Sequence, residues 1–153
     1  YYKVLVNKLL MPHKLYFDVN IKELKNSEIK IGNIIIKTFQ TRHSDTVKSI
    51  IYRIEHNKKI FVYTGDTDYC SEAIKAAENA DFLLTECSTS DENKKEGHLT
   101  PSLAGKLAKE ANVKTLALTH FYPEVLKSDI KKKCSRYFKG RIILAKDKLS
   151  ISI

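Results

Sequence analysis

Three side chains that bind metal ions well are predicted to lie at strand ends. They are His43 after the predicted strand 34–39, Asp66 after 60–63 and His120 after 113–118. In open α/β sheets, the carboxyl ends of neighbouring strands meet at a crevice where ligands bind. Two imidazoles and a carboxylate form a ligand set for zinc, or for iron or manganese when water and further oxygen atoms complete the shell. The spacing therefore predicts a metal site.

Asp66 admits two interpretations. It lies in the segment 64–67, and its Gly-Asp-Thr sequence is ordinary turn and helix-capping chemistry. The positions of His43 and His120 favour a metal ligand instead. An aspartate between two metal ions can bridge them, and a two-metal site suits hydrolysis because its water becomes a hydroxide near neutral pH.

The composition predicts a single globular domain over residues 1–153. The chain is 42% hydrophobic and 29% charged, and no apolar run approaches the ~20 residues of a membrane span. Nothing at the N-terminus resembles a signal peptide, and three scattered cysteines make no disulfide framework. We therefore expect a cytoplasmic protein that does not cross a membrane.

The charge balance has two explanations of equal weight. Lysine and arginine number 27 against 18 acidic residues, which gives a net charge of +9. Such an excess attracts polyanions, so a phosphodiester or nucleic-acid substrate is one explanation. A lysine-rich, glutamate-bearing solvated surface is the other.

The spacing of hydrophobic residues along the chain changes near Asp66. Before it, apolar runs predict strands at 2–10, 14–17, 19–21, 28–31 and 34–39 and a hairpin of 47–55 with 59–64. After it, we predict helix 71–80, strand 81–86, a Thr100-capped helix from Pro101 to about Ala111, strand 113–118, helix 128–137 and strands 141–144 and 148–153. The fold class is α/β, with strands first.

Six short segments follow one another along the chain: TRHS (41–44), IYRIE (51–55), VYTGDT (62–67), LTE (84–86), GHLTP (97–101) and LTHF (118–121). Together they resemble the second half of the metallo-β-lactamase superfamily, and the ribonuclease Z-like phosphodiesterase branch most of all. The resemblance covers about residues 34–123, with its segments in the family's order.

The resemblance implies an αββα sandwich and a hydrolase that holds two divalent metal ions, zinc first, with manganese or iron as alternatives. It makes His43, Asp66 and His120 metal ligands, with Asp66 bridging the two ions. It makes His98 a catalytic residue that contacts the scissile phosphate or assists proton transfer, oriented by Glu86.

The chain departs from the family in one motif. No two of its five histidines are spaced by two, so the signature His-x-His-x-Asp-His is missing, and the sequence begins at Tyr1 without an initiator methionine. We therefore expect the chain to be the C-terminal half of a larger hydrolase, inactive alone, which forms a homodimer or associates with the missing N-terminal half.

A second function class also fits the sequence. The chain could be a non-catalytic, basic α/β module that binds nucleic acid or a protein partner and retains only a structural half site. A His-x-His-x-Asp-His motif in the coding sequence upstream would decide for the hydrolase. The substrate stays open in either case, because one metal core serves many bonds.

Overall fold

The computed structural model describes residues 24–46 and 48–153, which form one mixed sheet. Its seven strands are β1 (Glu28–Ile31), β2 (Ile34–Gln40), β3 (Ile50–His56), β4 (Lys59–Tyr63), β5 (Phe82–Glu86), β6 (Thr115–Thr119) and β7 (Arg141–Leu144). They lie side by side in the order of the sequence. Strands β1 to β4 pair antiparallel, and β4 to β7 pair parallel. The sheet thus consists of an antiparallel meander followed by a parallel part.

The local sequence explains the turn that connects β3 and β4. Asn57 and Lys58 both have positive φ values, 47° and 62°. Two such residues make the type I′ turn, whose twist matches that of the strands on either side. The resulting hairpin pairs His56 with Lys59 and Tyr52 with Tyr63.

Three helices connect the parallel strands. They are α1 (Ser71–Ala77), α2 (Pro101–Glu110) and α3 (Ile130–Ser135), and a 3-10 turn at Val125–Lys127 precedes α3. Crossovers between parallel strands are right-handed, so a sheet built in sequence order carries its helices on one face. Helix α1 packs against α2, and α2 packs against α3. The described residues therefore form one sheet with one helical layer.

The core lies between this layer and the sheet. Its fully buried side chains include Val62, Leu83, Leu107, Leu116 and Leu118. Alternate residues of the same strands point to the opposite face. There the rings of Phe61 and Phe82 stack with their centroids 5.9 Å apart.

Most elements confirm the sequence predictions, and one prediction is wrong. The strands at 28–31 and 141–144 and the hairpin form, and Thr100 caps α2 by accepting from the Leu103 backbone N–H. The predicted strand 148–153 does not form. Lys148 takes a left-handed conformation at φ 63° within a turn. An apolar alternation becomes a strand only where a neighbour satisfies its backbone groups, and β7 ends the sheet in the described residues.

Helix boundaries also shift. Helix α1 ends at Ala77 instead of residue 80, because Asn79 adopts the left-handed conformation at φ 55°. Helix α3 begins only after Asp129, whose side chain accepts from the Lys132 backbone N–H. The predicted strands at 2–10, 14–17 and 19–21 lie outside the described residues. No helix among those described is long and apolar enough to cross a membrane.

Candidate metal centre

One edge of the sheet collects the predicted site residues. Strand β2 runs in the direction of β4, because two antiparallel steps separate them, and β5 and β6 are parallel to β4. The carboxyl ends of these four strands therefore share an edge. His43 follows β2, Asp66 follows β4, Glu86 ends β5 and His120 follows β6.

His43 is oriented through its inner ring nitrogen. Nδ1 lies 3.0 Å from the carbonyl oxygen of Gly97. Because a carbonyl oxygen can only accept a hydrogen bond, Nδ1 donates, and in the neutral ring this leaves the lone pair on Nε2. This is the usual arrangement of a metal-binding histidine, whose second nitrogen is fixed by a neighbouring acceptor.

His98 is oriented by the buried carboxylate of Glu86, whose exposed fraction is 1%. His98 Nδ1 lies 2.8 Å from Glu86 Oε1, which also accepts from the backbone N–H of Thr67 at 3.0 Å. Glu86 Oε2 accepts from the backbone N–H and the hydroxyl of Ser88. The loop bearing His98 is anchored by Thr89, which donates twice to the Leu99 carbonyl.

Asp66 and His120 meet at the more open side of the edge. Asp66 follows Gly65, whose φ of +60° turns the chain sharply after β4. His120 also has a positive φ, 57°, an uncommon conformation that histidine tolerates better than most residues. Its Nε2 lies 3.4 Å from Asp66 Oδ2. Its ring contacts Tyr122 at a centroid distance of 5.2 Å.

The structure brings all five predicted site residues together. Its most compact set is His43, Asp66 and His98, each with one ligand atom within 4.8 Å of the others. The sequence grouped His43 and Asp66 with His120. In the structure, His98 completes the compact set, and His120 lies outside that set and contacts Asp66. His98 and His120 have ring centroids 6.1 Å apart.

The donor set fits a zinc-like ion. Two atoms each about 2.1 Å from one ion lie at most about 4.2 Å apart. Ligand atoms of His43 and Asp66 lie within 4.8 Å of each other, and His120 Nε2 lies 3.4 Å from Asp66 Oδ2, so these distances are close to what an ion requires. Two of the three cysteines, Cys87 and Cys134, do not compete as ligands. Burial raises the pKa of the Cys87 thiol, and it raises the pKa of Cys134 to about 12. Buried, protonated thiols of this kind are poor metal ligands.

Two cavities flank the cluster. A small one of about 170 Å³ is lined by Tyr63, Gly65, Asp66, Glu86, Thr119 and His120. A polar groove of about 740 Å³ runs past His43 and includes Arg42, Glu96 and Gly97 in its lining. The groove has the volume of a typical ligand site, so the arrangement leaves room for a substrate beside the metal ligands.

Sequence reasoning missed two residues that hold the cluster, Gly97 and Asp68. Burial alone would raise the pKa of Asp68, but hydrogen bonds from Lys94 and from the backbone N–H groups of Gly97 and Tyr69 outweigh burial and keep that pKa below its usual value. A glycine directly before a candidate site histidine was the available signal for Gly97. Asp68 gave no such signal, because the partners that join it to the other loop, Lys94 and Gly97, are distant in sequence.

Gly97→Ala should weaken metal binding. Gly97 has a φ of +79°, and an added Cβ would overlap the His43 carbonyl oxygen and lie 3.2 Å from His43 Nδ1. Because backbone cannot move aside cheaply, the His43 ring should be displaced. We expect zinc affinity to fall by about tenfold or more, in the range known for lost outer contacts, as measured by competition with a chromogenic chelator.

Gly32→Ala is the matched control for this change. Gly32 has a similar φ of +59° but no heavy atom within 4 Å of an added Cβ. Both variants carry the same left-handed strain of roughly 1–2 kcal/mol, so both should unfold at lower temperature. Equal zinc affinity in the two variants would contradict the role given to Gly97.

Comparison with known proteins identifies the family. The family model described as Beta-lactamase superfamily domain matches residues 4–121. The chain is 30% identical to the probable metallo-hydrolase YhfI of Bacillus subtilis (strain 168), over 75% of this chain and 47% of that protein. It is 36% identical to a ribonuclease Z of Archaeoglobus fulgidus, over 92% of this chain and 63% of that protein.

Solved structures agree with these sequence matches. The crystal structure of YhfI has a TM-score of 0.75 at 30% identity, covering 82% of this chain and 52% of that one. Human tRNase Z, short form, has a TM-score of 0.61 at 25% identity, covering 82% and 44%. This chain thus spans less than two thirds of the length of each relative. Because the family model covers most of the sequence and these relatives share its sheet, the chain belongs to the metallo-β-lactamase superfamily.

Proposed function

We propose that this chain forms part of a metal-dependent phosphodiesterase of the ribonuclease Z kind, with RNA or a related phosphodiester as its substrate. The observation that carries the proposal is the convergence of His43, Asp66, His98 and His120 at one sheet edge. The names of two relatives, ribonuclease Z and human tRNase Z, support the choice of substrate class.

In this proposal, His43, Asp66 and His120 would hold two divalent ions, with zinc preferred over manganese or iron. Two ions are proposed because Asp66 is close to two imidazoles: its ligand atom lies within 4.8 Å of that of His43, and its Oδ2 lies 3.4 Å from His120 Nε2. When bound, such ions lower the pKa of a water molecule and neutralise phosphate charge. Asp66 is half-exposed, so its oxygens are accessible to ions.

His98 is proposed as the proton donor. Glu86 holds Nδ1, which leaves Nε2 to carry the transferable proton. In hydrolysis, a water oxygen bonds to phosphorus and releases one proton to the solvent, the bond from phosphorus to the leaving oxygen breaks, and that oxygen takes a proton from His98, which regains one from the solvent. Glu86 itself is a positioning residue, because its burial and four hydrogen bonds keep it from the substrate.

Basic side chains beside the edge suit a phosphodiester chain. The Lys95 ammonium lies 5.8 Å from the ring centroid of Tyr122, and that ring contacts both His98 and His120. Arg42 lines the groove next to His43. These groups place positive charge where a polyanion would approach, in line with the net charge of +9.

Substituting Asp66 and His98 separates metal binding from proton transfer. Asp66→Ala should lose zinc and nearly all turnover. His98→Ala should keep its zinc and lose rate, on the order of 10²–10⁴-fold for a general acid. Elemental analysis beside turnover of a phosphodiester by the full-length protein measures both.

Histidine controls make this comparison specific. His120→Ala should behave like Asp66→Ala, whereas the exposed His56, at the end of β3, should be replaceable by alanine without effect. Loss of zinc in His98→Ala would make His98 a metal ligand and overturn the division of roles. Zinc and rate both intact in Asp66→Ala would overturn the proposed centre.

The dependence of kcat/KM on salt concentration tests the substrate class. RNA binding releases counterions, so kcat/KM for RNA should fall steeply as salt rises. Lys95→Ala should raise KM and reduce the slope of log(kcat/KM) against log[salt] by about one, as expected for one phosphate contact. Lys109→Ala, an exposed lysine in the last turn of α2, should change neither. Salt-independent hydrolysis of a neutral ester, without phosphodiesterase activity, would assign another substrate class.

A further inference from the structure

Asp68 is a buried carboxylate outside the metal-ligand set. Its exposed fraction is 8%, although it lies only two residues after Asp66. Oδ1 accepts from the Tyr69 backbone N–H at 2.7 Å. Oδ2 accepts from the Gly97 backbone N–H at 3.0 Å and from Lys94 Nζ at 2.8 Å. Both oxygens thus accept hydrogen bonds from the protein.

These contacts join the three loops that carry the compact set. Asp68 belongs to the loop of Asp66, and its backbone N–H donates to the Arg42 carbonyl at 2.6 Å, next to His43. Its Oδ2 holds Gly97, next to His98. Gly97 in turn accepts from His43 Nδ1. One residue therefore contacts the neighbours of both histidines.

Lys94 completes the arrangement. Its ammonium bonds Asp68 Oδ2 and also donates to the Lys95 carbonyl, so it stiffens the loop that leads to His98. It also neutralises a carboxylate that would otherwise lie free beside a cation site. Asp66 is then the carboxylate left available to an ion.

We infer that Asp68 is a positioning residue of the metal centre, which holds Gly97 against His43 and so fixes the ring of that proposed metal ligand. The inference rests on the proposed metal site and extends it to a residue that touches neither metal nor substrate. Outer contacts of this kind tune ligand geometry, and their loss costs about 10–100-fold in metal affinity.

The test is Asp68→Asn in the full-length protein. Asparagine keeps the shape but offers a single acceptor oxygen, so it cannot accept from Tyr69, Gly97 and Lys94 together. We expect zinc affinity to fall about 10–100-fold in competition with a chromogenic chelator. The visible absorption of bound Co²⁺ should also change, because it reports ligand geometry.

Asp81 provides the matched control. It has the same exposed fraction of 8% and likewise accepts from a backbone N–H, that of Ile60, and from a lysine, Lys114. It lies before β5, at the opposite end of the sheet from the metal centre. Asp81→Asn should lower thermal stability as Asp68→Asn does, and should leave zinc affinity and the Co²⁺ spectrum unchanged.

Zinc affinity equal to wild type in Asp68→Asn, or an equal loss in Asp81→Asn, would overturn the inference. If Asp68→Asn does not fold, zinc affinity is measured instead in Lys94→Met and compared with that of Lys114→Met. A loss confined to Lys94→Met supports the inference, and no difference between the two overturns it. A wild-type protein that binds zinc but cleaves no phosphodiester would refute the proposed function alone, because the readout here is affinity.

Discussion

The burial of Glu86 constrains the whole functional edge. A carboxylate removed from water costs several kcal/mol unless hydrogen bonds replace its hydration. Three segments supply those bonds: the turn after β4 through Thr67, the start of the next loop through Ser88, and that loop's far end through His98. The requirement to satisfy one buried side chain therefore fixes the relative positions of loops that the sheet alone leaves free.

A second set of contacts fixes His43. Gly97 allows the backbone of its loop to approach His43 more closely than any other residue could, and its carbonyl sets the ring orientation of His43. The hydrophobic core holds the strands, while these polar contacts hold the loops. The site is thus built on rigid strand ends and completed by hydrogen bonds of high specificity.

Much of this could be predicted from sequence because its determinants are local. The Asn57-Lys58 turn, the Thr100 cap and the strands ending near His43, Asp66 and His120 follow from turn, capping and period rules. The place of His98 in the compact set could not be predicted, because it depends on the path of the loop from β5 to α2. That path is set by contacts between residues far apart in sequence, such as Asp68 with Gly97. The predicted strand 148–153 failed for a similar reason, since a strand requires a partner that its own sequence does not reveal.

Metal dependence of phosphodiester hydrolysis tests the central claim most directly. The full-length protein would be stripped with a chelator, assayed on a phosphodiester, and then titrated with zinc. Turnover should vanish in the stripped protein and return in proportion to bound zinc until the sites saturate. Hydrolysis that survives complete removal of metal, or a zinc-saturated protein that cleaves no phosphodiester, would contradict the claim.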